Sequence, residues 1–109
     1  MTLNDYQCKA LETAVYPKEQ KVIYPALGLT GESGEVADKV KKVIRDKGGN
    51  FQPFDVRLAI AKELGDTLWY CATLANDLGF TLEDVAKMNV DKLQSRKQRG
   101  VLSGSGDNR

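Results

Sequence analysis

The chain has 109 residues, 41% of them apolar and 28% charged, which is the composition of one small globular domain. Its 16 Lys/Arg and 15 Asp/Glu leave a net charge of +1, so no overall field draws it to nucleic acid or to a membrane surface. It has no histidine, which removes Ser-His and Cys-His nucleophilic pairs, imidazole zinc sites and Glu-x-x-His ligand sets. Its chemistry must therefore run on carboxylates, lysine, arginine, tyrosine, water or a metal.

Hydrophobic periodicity predicts helix nearly throughout. Thr2 with Asp5 marks a first start, and Leu3, Tyr6, Ala10, Leu11, Ala14 and Val15 follow at 3/4 spacing until Pro17 closes the helix. Pro25 suits the first turn of a second helix, predicted from about Tyr24 to Lys47 and ended by Gly48-Gly49. Val36, Val40, Val43 and Ile44 are its apolar stripe. A loop over residues 49–54 precedes a third helix, with Asp55 as its cap and Leu78 as its end. That helix carries the cleanest heptad-like line, Ala61, Leu64, Leu68, Cys71, Ala75 and Leu78. Gly79 terminates it, and Thr81 with Asp84 forms a capping box for a fourth helix that fades near Gly100. The expected architecture is all-α, a helical bundle of about four helices over residues 1–102. Residues 103–109 form a tail that is flexible by composition.

No 18-residue apolar run and no charged-then-apolar leader is present. Cys8 and Cys71 stand 63 residues apart and read as small buried hydrophobes in a reducing cytoplasm, not as a redox pair. Gly28, Gly31 and Gly34 have the wrong spacing for a phosphate loop.

Two acidic pairs sit at i, i+3, Glu32 with Glu35 on the second helix and Glu63 with Asp66 on the third, so each pair shares one face. If the two helices fold back about the loop between them, both pairs come to similar height. Four carboxylates meeting beside an apolar stripe repel one another, and a divalent cation resolves the conflict. With oxygen donors only, the hard ions Mg²⁺ or Mn²⁺ fit. The same acids also read as a solvated face, because Glu35–Lys39 and Asp38–Lys42 are good i, i+4 ion pairs. Residues 87–109 hold six Lys/Arg against two acids, and Lys92, Arg96 and Arg99 share one helix face. That stripe is either a complement to the helix dipole or a partner for phosphate. Gly31, Gly34 and Gly65 cost helix propensity beside the acids, which suggests the close approach of phosphates or another helix.

These residues resemble the MazG family of all-α nucleoside triphosphate pyrophosphohydrolases. The family signature E-E-x-x-E followed by E-x-x-D appears here as Gly31-Glu32-Ser33-Gly34-Glu35 and, after 27 residues, Glu63-Leu64-Gly65-Asp66. The strings ALGLTGESGEVADKVKK, AKELGDTLWYCATLANDLG and NVDKLQSRKQRG extend the likeness over residues 22–100. One departure is Gly31, where the family pattern leads with an acid.

The resemblance implies Mg²⁺-dependent cleavage between the α- and β-phosphates, giving a nucleoside monophosphate and pyrophosphate. It makes Glu32, Glu35, Glu63 and Asp66 metal ligands, one of which, or a neighbour, also orients the attacking water as general base. Lys92, Arg96 and Lys39 become phosphate contacts, and Asn89 and Tyr70 sugar or base contacts. Trp69, beside Leu68, reads as core or interface packing. The family also implies a homodimer, or a tetramer of paired dimers, acting in the cytoplasm to remove surplus or non-standard nucleotides. Two other readings stay open: a non-enzymatic helical dimerisation or regulatory module, and phosphoribosyl-ATP pyrophosphatase. Nucleic-acid binding through the basic end is disfavoured, since no aromatic residue is interleaved with the charges.

Overall fold

The computed structural model describes residues 1–109 as four α-helices joined by short turns, with no strand: α1 Leu3–Leu11, α2 Ile23–Asp46, α3 Phe54–Asp77 and α4 Leu82–Gln98. The expected capping box at Thr81 is made, and the start expected at Thr2 is a capping box as well. The Asp5 amide donates to Thr2 Oγ1 and the Thr2 amide to Asp5 Oδ2, each at 3.0 Å. The Asp84 and Thr81 amides make the same exchange at 3.0 and 3.1 Å. Glycines end three helices as their left-handed freedom allows: Gly49 (φ 72°) donates to the Val43 carbonyl, and Gly79 (φ 85°) lets Phe80 reach Ala75. Gly100 does the same for Val101 and Arg96.

Two boundaries differ from expectation. α1 stops at Leu11, short of Val15, because Thr13 turns its hydroxyl onto the Ala10 carbonyl (2.9 Å) and tightens the turn. Val15, predicted to face the core, is 91% exposed. At the start of α3 the cap position is Pro53, with no side-chain cap; Asp55 lies inside the first turn, where its charge complements the helix dipole. Between α1 and α2 the chain makes one turn of 3-10 helix, Lys18–Gln20, and then a γ-turn centred on Val22. Val22 has φ 69° and ψ −54°, and Ile23 donates back to the Lys21 carbonyl at 2.8 Å. A β-branched residue in that conformation is strained.

α2 and α3 are each 24 residues long and pack along their length as an antiparallel hairpin. α1 lies across α3 and α4. Its buried Gln7 knits three elements: Nε2 donates to the Ala72 and Phe80 carbonyls, and Oε1 accepts from the Leu82 amide at 3.0 Å. Asn4 accepts from the Glu83 amide, so α1 supplies partners for the open amides at the start of α4. The core is small: Ala10, Ala72 and Leu82, with Tyr6, Trp69 and Cys71 packed against it.

Only ten of the 109 residues are buried. Only part of the heptad-like line of α3 reaches the core: Ala75 is buried and Cys71 packs on the core cluster, while Leu64 is 55% exposed and Leu68 39%. Leu64 and Leu68 are left largely uncovered on the α2–α3 hairpin. The radius of gyration is 16.8 Å, against about 13 Å for a compact chain of this length. Cys8 and Cys71 are free, but Cys8 is exposed, contrary to expectation. It lies about 100° around α1 from Gln7, which takes the buried face. No helix is long and apolar enough to cross a membrane.

Candidate metal centre

The hairpin brings three of the four predicted carboxylates together. Glu32 of α2 and Glu63 and Asp66 of α3 each present an oxygen within 4.8 Å of the others. The i, i+3 spacing places both α3 acids on one face, and the antiparallel fold sets Glu32 opposite them. Glu35, one turn along α2, is exposed and stands outside that group. The crowding has an electrostatic signature: partial burial, then the charges of Asp66, Glu63 and Glu35, push the Glu32 carboxyl above its ordinary range. An oxygen-only set of mutually repelling acids fits a hard divalent cation. Lys39 approaches the cluster, its Nζ 3.7 Å from Glu63 Oε1.

Glu32 and Asp66 form one side of an open cavity of about 320 Å³, and Trp69 and Tyr70 form the other. The two rings meet edge to face, with centroids 5.0 Å apart at 88°. Trp69 therefore has two faces of use: it packs on the Ala10–Ala72–Leu82 core, as its sequence reading expected, and it also walls the cavity. Its indole N–H donates to Thr13 Oγ1 at 2.8 Å. Tyr70 leans on Tyr24 (6.4 Å), which stacks on Tyr16 (4.9 Å, 16°). Burial, then Tyr24, Glu32 and Asp66, push the Tyr70 hydroxyl up, so it stays protonated beside the acids. The ring lies directly against Gly28, where a Cβ would fall inside it. No atom of the chain outside their own helices approaches the missing Cβ of Gly31, Gly34 or Gly65 within 4 Å, so the close contact is at Gly28 instead.

The basic residues of α4 are not brought to these acids within one chain. Asn89 and Lys92 are exposed, and neither lines the cavity. Arg96 is buried, its Nη2 donating to the Asp107 carbonyl at 2.8 Å, so the C-terminal segment folds over it. The cause is topological: α4 leaves α3 at Gly79 and packs on α1 and α3, not along α2. A cleft of about 220 Å³ at the loop end of the hairpin carries Lys39, Lys42 and Lys47 over Val43, Val56 and Ile60. Sequence reasoning gave no site role to Thr13, Tyr24, Lys42 or Lys47. Gly28, one turn before Glu32, and Trp69, one turn after Asp66, were the available signals.

Residues 21–101 match the family model of the MazG nucleotide pyrophosphohydrolase domain. Gene 37 protein of Mycobacterium phage L5 is 47% identical over 115 residues, covering 100% of both chains. No solved structure matches.

Proposed function

This chain belongs to the MazG nucleotide pyrophosphohydrolase family, and we propose that it hydrolyses a nucleoside triphosphate to the monophosphate and pyrophosphate, with Mg²⁺ as the ion and Mn²⁺ as a substitute. The observation that carries this reading is the meeting of three carboxylates with an aromatic corner at one cavity. The bound ion supplies charge that polarises phosphate oxygens and offsets the repulsion among the acids. Glu32, Glu63 and Asp66 hold it, and Glu35 completes the set from the next turn of α2. Water attacks the α-phosphorus, the bond to the bridging oxygen breaks, and pyrophosphate leaves with that electron pair. One of these acids, or a neighbour, orients the attacking water and takes its proton. Lys39 takes phosphate charge, and the Trp69–Tyr70 corner receives the base.

The second half of the proposal concerns assembly. The exposed apolar residues of α2 and α3, Ile44, Leu64 and Leu68 among them, are closed by another copy of the chain, as a homodimer or a pair of dimers. In that assembly Lys92 reaches the phosphates and Asn89 the sugar or base of a neighbouring site, and Arg96 joins Lys92 once the C-terminal segment lifts off it. The biological role is removal of surplus or non-standard nucleotides.

The test is pyrophosphate release from a panel of ribo- and deoxynucleoside triphosphates, with Mg²⁺ and with EDTA. Metal-dependent pyrophosphate with monophosphate as co-product is the expected result. Asp66→Asn is expected to lower turnover at least a hundredfold with an unchanged circular dichroism spectrum. Orthophosphate with diphosphate, or full activity in Asp66→Asn, sinks the assignment.

A further inference from the structure

The segment from Glu12 to Val22 lies almost wholly before the residues matched by the family model, yet it touches Trp69 of the aromatic corner directly and backs Tyr70 through Tyr24. At its start, Thr13 Oγ1 donates to the Ala10 carbonyl at 2.9 Å and accepts the Trp69 indole N–H at 2.8 Å. Because the hydroxyl proton is committed to Ala10, a lone pair of the oxygen is left facing the indole, and the direction of the second bond is set. At the far end, Asp77 Oδ2 accepts from both the Tyr16 hydroxyl (2.8 Å) and the Val22 amide (3.0 Å). That carboxylate pins the strained Val22 turn and seats Tyr16 on Tyr24, which leans on Tyr70. The strap is thus tied down on both sides of the cavity wall. It places no atom among the carboxylates.

We propose that Thr13 is a positioning residue for base recognition: through its hydrogen bond to Trp69 it presets the plane on which the base of a nucleotide stacks beside the Glu32–Asp66 cluster. The inference rests on the functional reading above for its ligand class. The phosphates and the base would then be read by separable parts of the chain: acids and Lys39 for the first, and the strap and its rings for the second. Losing one hydrogen bond of this kind corresponds to about a three- to tenfold change in an equilibrium. The change should fall only on ligands that carry a base.

Thr13→Val keeps the shape of the side chain and removes the acceptor, while Thr13→Ser restores it. Trp69 is the sole tryptophan, so its fluorescence reports the wall directly. In the full chain, Thr13→Val is expected to raise KM for the nucleoside triphosphate, and the midpoint of Trp69 quenching by the monophosphate, about three- to tenfold. The turnover number and inhibition by inorganic tripolyphosphate, which has no base, should not move, and Thr13→Ser should return the wild-type values. Unchanged KM and quenching in Thr13→Val overturns the proposal, as does an equal loss of tripolyphosphate inhibition. In the wild-type chain, quenching by nucleotide without pyrophosphate release upholds the platform and sinks the reaction. Pyrophosphate release with a Trp69 emission indifferent to nucleotide does the reverse.

Discussion

Glu32 is the residue at which burial and like charge act in the same direction. Both hold its carboxyl above the ordinary range, so in the metal-free chain its ionised form is disfavoured by folding. The stability it contributes is present below the ordinary carboxylate range and is lost as pH rises through the raised value. Metal binding has the opposite demand, since a ligand carboxylate must be ionised. Lowering the pH through that same value should therefore stabilise the bare chain and weaken its hold on Mg²⁺. Thermal melts across pH 4–8, with and without the ion, read both trends. Glu32→Gln is expected to raise the melting temperature of the metal-free chain at neutral pH and to remove the Mg²⁺-induced shift. The pairing of Glu63 with Asp66 was legible because three residues of helix return a side chain to the same face. That Glu32, and not Glu35, closes the group depends on how α2 is rotated against α3, which no spacing along one helix encodes.

Helix starts and stops were nearly all written locally, since a Thr–Asp box or a left-handed glycine needs only residues within one turn. The strap between α1 and α2 was not. Pro17 announced a break, but nothing nearby announced that Asp77, 55 residues from Val22, would hold the turn together. Burial, with the hydrogen bond to Asp77, pushes the Tyr16 hydroxyl up to about 12. A folded-state value above the ordinary one near 10 means that Tyr16 stabilises the fold fully below pH 10. That contribution is lost as pH rises toward about 12. Denaturant melts between those limits should show a loss of stability in the wild-type chain that is smaller in Tyr16→Phe. An equal loss in both chains would falsify the strap's dependence on this hydroxyl.

Across the whole molecule the imbalance is between apolar surface and core. Four helices give this chain ten buried residues, and Leu64 and Leu68 of the best heptad line face outward. Exposed apolar area of this kind costs about 25 cal/mol per Å² until it is covered, which is the drive for the proposed self-association. Light scattering of the wild-type chain should give two or four times the chain mass. A charge placed in the stripe, Leu68→Glu, should shift it toward the monomer with helicity retained. If the basic residues of α4 serve a neighbouring site, turnover falls with the mass. A monomeric, fully active Leu68→Glu chain would rule out that assembly.

Helical class, the ends of most elements and the acidic residues of the site were determined by sequence, because caps, 3.6-residue periodicity and i, i+3 spacing act within a turn or two. The tertiary structure decided which carboxylates meet, which glycine takes the Tyr70 ring, and that α4 turns its basic face away from the acids of its own chain. It also decided that Leu64, Leu68 and Leu78 of the best apolar stripe lie on the outer surface of the chain while Ala75 is buried. These depend on helix rotation and on contacts between residues tens of positions apart, and a linear pattern specifies an apolar face without specifying what will cover it.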